Sequence, residues 1–218
     1  MLTVFEGLEE KLSQAVETEE WKTLQEISKY IENFNHKFES IVRSPEWQQV
    51  EDLFNSKKTI YMIGNGGNMA VASHGAADAT RLTNKKVHCL DSQSHLTSIA
   101  NDHGYENIFE RWLEAYADLD KKTLVLGYSG SGNSANVLGA LRWADDQGFD
   151  TTIITGVKSA RLDRDTINEI CFDNIFFHSN EILSVMSFYE LIHGAGHACP
   201  TIKAENDRKY GTKGVKHV

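Results

Sequence analysis

The chain has few cysteines, no long apolar run and no excess of basic charge. Its 218 residues hold three cysteines, Cys89, Cys171 and Cys199. They are odd in number and widely spaced, which excludes a disulfide framework and any paired-thiolate metal motif. A reducing cytoplasm is the expected compartment. No stretch approaches the ~20 apolar residues of a membrane-crossing helix. Met1 to Gly7 lack the basic start and apolar run of a secretion signal, so none is expected. The formal charge is -9, which argues against a broad nucleic-acid footprint and against an anionic membrane surface. A local nest of backbone N–H groups can still take an anion against that net field. Internal repeats and low-complexity segments are absent as well.

What is present is an alternation of short apolar runs and amphipathic stretches. Residues 3 to about 43 keep apolar side chains at three- and four-residue spacing, from Phe5, Leu8 and Leu12 to Ile31, Phe34, Phe38 and Ile41. Residues 1–43 therefore read as long N-terminal helices whose stripe packs on the chain's own core, on a partner's helix or on both, with a subunit interface expected. Ser44, Pro45 and Glu46 then mark a helix start, with Ser as cap, Pro at the first position and an acid in the first turn. Strands are expected over 59–63, 87–90, 123–127 and 151–155, with a fifth at 174–177. Helices are expected between them, and a final one from Glu181 to about His197. This alternation predicts an α/β domain over 44–199, an open five-stranded parallel sheet with helices on both faces. Residues 200–218 read as a polar, irregular tail.

Two polar loops follow predicted strand ends and so share one rim of the sheet. The first is Gly64-Asn65-Gly66-Gly67-Asn68, and the second is Ser129-Gly130-Ser131-Gly132-Asn133-Ser134. Both lead into helix N-termini, where an anion is favoured. Neither carries the Gly-Lys-Ser/Thr of a triphosphate loop or a dinucleotide fingerprint, so no nucleotide cofactor is expected. A phosphomonoester fits the serine loop, and a plain capped turn is the other reading. His74 and Asp78 lie four apart and share a helix face, as do His193 and His197. Each pair is either a surface pair or, where the helices meet, part of a metal site of three or four ligands. Asp102 either caps a turn or binds a hydroxyl. His88, His95, His103 and His178 read as surface residues.

Four motifs occur in order: Ile63-Gly64-Asn65-Gly66-Gly67, Ala100-Asn101-Asp102-His103-Gly104-Tyr105, Ser129-Gly130-Ser131-Gly132-Asn133-Ser134-Ala135-Asn136 and Leu191-Ile192-His193. On them the chain resembles the sugar isomerase (SIS) domain proteins, specifically the phosphoheptose isomerases, over about residues 20 to 198. The resemblance implies an SIS-type α/β fold and a cytoplasmic homotetramer with sites between subunits. It implies an enzyme of heptose and lipopolysaccharide biosynthesis, converting sedoheptulose 7-phosphate to D-glycero-D-manno-heptose 7-phosphate through an enediol. By the same resemblance Ser129, Ser131 and Ser134 hold the phosphate. Asn65, Gly66, Gly67 and Asn68 line the sugar, and Asp102 contacts its hydroxyls. Asp78 and His193 become the catalytic pair. His74, Asp78 and His193 become zinc-ligand positions in members that bind zinc, with His197 a further ligand candidate.

The chain departs from the family at Asp78, where the family has Glu, and at Val185, where it has Gln. It also has Gly130 in place of Thr and Asn68 in place of Ser. These departures leave a second reading open: a non-catalytic SIS module that binds a protein partner or senses a sugar phosphate.

Overall fold

The computed structural model describes residues 34–118 and 123–211. The expected N-terminal extension is described only from helix α1 (Phe34–Val42) onward. Residues 1–33 and 212–218 lie outside the described residues. The chain divides into two compact units, the second running from Val42.

That unit opens with helix α2 (Pro45–Ser56), whose start follows the sequence signal. The Ser44 hydroxyl accepts from the Trp47 N–H at 3.1 Å, and Pro45 occupies the first turn, where its missing N–H costs nothing. Trp47, Val50 and Phe54 recur at three and four residues and are fully buried.

Five strands follow: β1 (Thr59–Gly64), β2 (Lys86–Cys89), β3 (Thr123–Ser129), β4 (Asp150–Thr155) and β5 (Asn168–Cys171). They pair only in parallel, in the order β2-β1-β3-β4-β5. The order reverses between β1 and β3, so the crevice beyond their C-terminal ends is the switch point where such sheets bind ligands. Leu124, Val125, Leu126 and Tyr128 of β3 are fully buried, as expected of a central parallel strand covered on both faces.

The covering helices are α3 (Gly67–Leu82), α4 (Gln93–His103), α5 (Ile108–Tyr116), α6 (Ala135–Asp146), α7 (Phe177–Gly194) and α8 (Ile202–Tyr210). Trp112, Leu113, Leu138 and Leu141 close the core on one face together with Tyr61 and Val125. On the other face α3 packs on α7 through Gly75. A Cβ at Gly75 would meet the Phe188 ring at 3.1 Å and the Met62 sulfur at 3.2 Å. The glycine lets the two helices approach closely.

Three expectations are corrected. The fifth strand is 168–171 and not 174–177. Asp173 takes φ +48, and the Asn174 side chain accepts from the Phe176 N–H at 3.2 Å. That turn takes Ile175 and Phe177 out of the sheet, and both are exposed. The final helix accordingly begins at Phe177 and ends at Gly194, with Gly196 at φ +80, so His197 does not share a helix face with His193. The tail is not irregular through Tyr210. Thr201 caps α8 by accepting from the Ala204 N–H, and Lys203–Asp207 and Arg208–Glu205 pairs brace it. Among the described residues no helix is long and apolar enough to cross a membrane.

Candidate active site

The rim of the sheet carries the first half of the site. β1 ends at Gly64, where a Cβ would fall 2.7 Å from the Asn68 carbonyl oxygen. Only glycine lets the chain turn there. Gly66 then takes φ +57, a conformation that glycine adopts without strain. The Asn65 carboxamide pairs reciprocally with Asn136 at the start of α6, at 2.8 and 2.9 Å. The Tyr105 hydroxyl donates to the same Asn65 oxygen at 2.9 Å. Two separate segments are thereby tied to one loop.

The serine loop after β3 is held from behind by the loop after β4. The Gly156 and Val157 N–H groups donate to the Gly130 carbonyl at 3.0 and 3.2 Å. The Ser159 hydroxyl donates to the Gly132 carbonyl at 2.6 Å, and the Ala160 N–H to Asn133 Oδ1 at 3.1 Å. Ser129 and Ser134 hydroxyls lie 3.1 Å apart. Neither Gly66 nor Ser134 makes a side-chain cap on the helix it starts. The Asn68 N–H bonds the Asn65 carbonyl and the Val137 N–H bonds Asn136 Oδ1, and both helix N-termini turn their positive dipole ends to the rim.

These loops enclose a cavity of about 260 Å³ lined by Asn65, Gly66, Gly67, Asn68, Ser129, Ser131 and Ser134. All are sequence-predicted substrate residues. Asp102 is not in the lining; it sits at the exposed end of α4 and accepts from its neighbour Asn101 at 2.8 Å. Tyr128, Gly130, Phe177 and Glu181 complete the wall. Glu181 is the main residue that sequence reasoning missed. Its carboxylate lies over Gly67, and any side chain there would collide with it. The available signal was four-residue spacing from Phe177, which was hidden by starting the helix at 181.

The second half lies between α3, α7 and α8. A cavity of about 760 Å³ is lined there by Asp78, Arg81, Tyr189, His193, Cys199 and residues of α8. The Tyr189 hydroxyl donates to Asp78 Oδ2 at 2.8 Å, and Arg81 Nη2 donates to Oδ1 at 3.0 Å. His74 Nε2 is 2.9 Å from the Tyr189 oxygen and 3.6 Å from Asp78 Oδ2. Burial raises the Asp78 carboxyl, but the bonds from Tyr189 and Arg81 outweigh it and hold the group below its usual range. Burial, with the bond to Asp78, pushes the Tyr189 phenol up to about 12. Burial also raises the Cys199 thiol, with the Asp78 charge adding to it.

Asp78 and His193 line one cavity, whereas His197 lines a separate groove with Asn55, Lys57 and Lys85. Among the described residues no three His, Cys, Asp or Glu side chains converge as a metal site. The oxygens of Asp78 that would bind zinc are engaged by Arg81 and Tyr189, so the donor set of one chain does not fit the ion. The two cavities also share no lining residue. Asp78 is eleven residues along α3 from Gly67, about 16 Å at the helical rise.

A parallel sheet with a serine loop and a glycine loop meeting at its switch point defines an open α/β domain with its ligand crevice beyond the strand C-termini. The SIS domain family model matches residues 24–156, and the chain belongs to that family. It is 37% identical to the phosphoheptose isomerase of Aliarcobacter butzleri over 148 residues, covering 65% of this chain and 74% of that protein. It is 41% identical to the phosphoheptose isomerase of Helicobacter pylori strain P12 over 119 residues, 52% of this chain and 60% of that protein. The fold superposes on a phosphoheptose isomerase structure from Neisseria gonorrhoeae with a TM-score of 0.70 at 23% identity, covering 82% of this chain and 99% of that one. It also matches the Vibrio vulnificus NanR protein complexed with ManNAc-6P, with a TM-score of 0.53 at 13% identity, covering 87% of this chain and 66% of that one.

Proposed function

We propose that the protein is a sugar-phosphate isomerase interconverting sedoheptulose 7-phosphate and D-glycero-D-manno-heptose 7-phosphate. The observation that carries this reading is the small rim cavity, where three serine hydroxyls meet two uncapped helix N-termini. Such a wall takes a phosphate dianion without a lysine or a metal. The sequence relatives named phosphoheptose isomerase support the same choice. Ser129, Ser131 and Ser134 hold the phosphate, and Asn65 to Asn68 face the sugar. Glu181, on the opposite wall, accepts from sugar hydroxyls.

The reaction moves one proton between neighbouring carbons. A base takes the proton beside the carbonyl, an enediol forms, and the proton returns to the adjacent carbon. Asp78 and His193 share the cavity that supplies a carboxylate and an imidazole for this work. Asp78, held as an anion, is the base, and His193 serves the oxygens. No step runs through a metal. Because the two cavities are separate in one chain, the enzyme works as an oligomer. The rim cavity of one copy is completed by Asp78 and His193 of another, in the cytoplasmic homotetramer that the family resemblance implies.

The test is proton NMR of the full chain with sedoheptulose 7-phosphate in deuterated buffer. Appearance of the aldose, with deuterium at its second carbon, is the expected result. No conversion in either direction sinks the reading. One observation favours a second reading, a non-catalytic phosphosugar sensor: both Asp78 oxygens are already bonded. Binding of the ketose phosphate without conversion would select it.

A further inference from the structure

We propose that Arg81 and Tyr189 hold Asp78 in the place of a metal ion, so that this acid–base cluster operates with an organic cation. The proposal deepens the isomerase reading and rests on it for its catalytic part. Its metal part stands on geometry alone.

A divalent ion shared by His74 and Asp78 would sit about 2.0–2.2 Å from an imidazole nitrogen and a carboxylate oxygen. The Tyr189 hydroxyl occupies that bridging position instead, at 2.9 Å from His74 Nε2 and 2.8 Å from Asp78 Oδ2. A phenol has one proton, and here it is given to the carboxylate. The imidazole Nε2 is turned onto that phenol oxygen, and a metal could reach it only by displacing the hydroxyl. The His74 ring is also fixed edge-on against Phe188 and Tyr189, with centroids 5.6 and 6.1 Å away.

The other carboxylate oxygen faces Arg81, one turn along the same helix, at 3.0 Å. A guanidinium stays charged at any working pH and holds its donors in a fixed plane. Bonded to Asp78 Oδ1, it keeps the carboxylate ionised and oriented without a metal. Val185, on α7, offers no donor at all where the family has Gln. Tyr189 and Arg81 are positioning residues in this scheme, since both act through Asp78.

The test uses the full chain, dialysed against chelator and titrated with zinc chloride in a calorimeter beside Asp78→Asn. The wild type and the variant are expected to give the same heats. One equivalent of zinc per chain in the wild type, lost in Asp78→Asn, overturns the proposal. The second readout is steady-state turnover. Arg81→Met is expected to lower kcat about a hundredfold with KM little changed. Arg81→Lys, or guanidinium salt added to the Met variant, restores part of it. Turnover of Arg81→Met equal to wild type overturns the proposal too. A wild type that converts no phosphosugar defeats the isomerase reading, and with it the catalytic half of this proposal, while the zinc titration still decides the metal half.

Discussion

The cavity at the sheet rim and the cavity between α3 and α7 differ in what builds them. The first is made of backbone, hydroxyls and carboxamides at strand ends, and the reciprocal Asn65–Asn136 pair ties its two loops together. Its shape follows from the path of the chain, and its positive field comes from two helix ends. The second is made of long side chains from helix interiors. Asp78, Arg81, Tyr189 and His193 reach it only because Gly75 lets α3 and α7 come close. A binding pocket can thus be specified by short local motifs, whereas an acid–base cluster here depends on the packing of two helices a hundred residues apart in sequence.

That contrast is open to direct attack. The largest expected effect is at the base. Asp78→Asn keeps the size of the side chain and removes its basicity, and turnover should fall about 10²–10⁴-fold. Sugar-phosphate affinity, read by calorimetry, should stay near wild type. Equal turnover would remove Asp78 from the chemistry.

Ser131→Ala attacks the other cavity. Hydrogen bonds to a charged acceptor contribute roughly 1.5–3 kcal/mol, so KM should rise about tenfold or more while kcat holds. A fall in kcat at constant KM would mean that the loop does more than hold phosphate. Gly75→Leu sharpens the comparison by structure. Overpacking the α3–α7 contact should cost about 1–3 kcal/mol in urea unfolding. It should also disable the Asp78 cavity while leaving phosphate binding at the rim.

The smallest effect is on acid stability. The Asp78 carboxyl sits below its ordinary value when folded, because Tyr189 and Arg81 outweigh burial. Its contribution is therefore complete above the ordinary carboxylate value of about 4 and is lost as pH falls through the lower folded value. The difference in urea midpoint between wild type and Asp78→Asn should shrink as pH falls below about 4. A difference constant across that range would mean that the Tyr189 and Arg81 bonds do not bias the carboxyl.

The same contrast explains what could be read from the sequence. β1 and β3, the two polar loops and the Ser44 cap were legible because each is a local pattern: an apolar run, a glycine turn, a hydroxyl before a helix. β5 was misplaced because 174–177 is more apolar than 168–171, and the reversal is caused by Asp173 and Asn174. That error hid Glu181, whose inward direction depends on α7 beginning at Phe177. The helix α8 has no apolar stripe and is held by a cap and ion pairs, so hydrophobic periodicity had nothing to report. The Tyr189–Asp78 bond joins residues 111 apart, and no spacing rule reaches that far.

The central claim is that two separate half-sites serve one substrate across a subunit boundary. Chains carrying Ser131→Ala and chains carrying Asp78→Asn, co-expressed under different tags and purified as mixed oligomers, test it. In a mixed oligomer some sites pair an intact rim cavity with an intact Asp78. At substrate concentrations far below KM, the account predicts isomerase activity above that of either parent oligomer. A mixed oligomer no more active than its parents would contradict it.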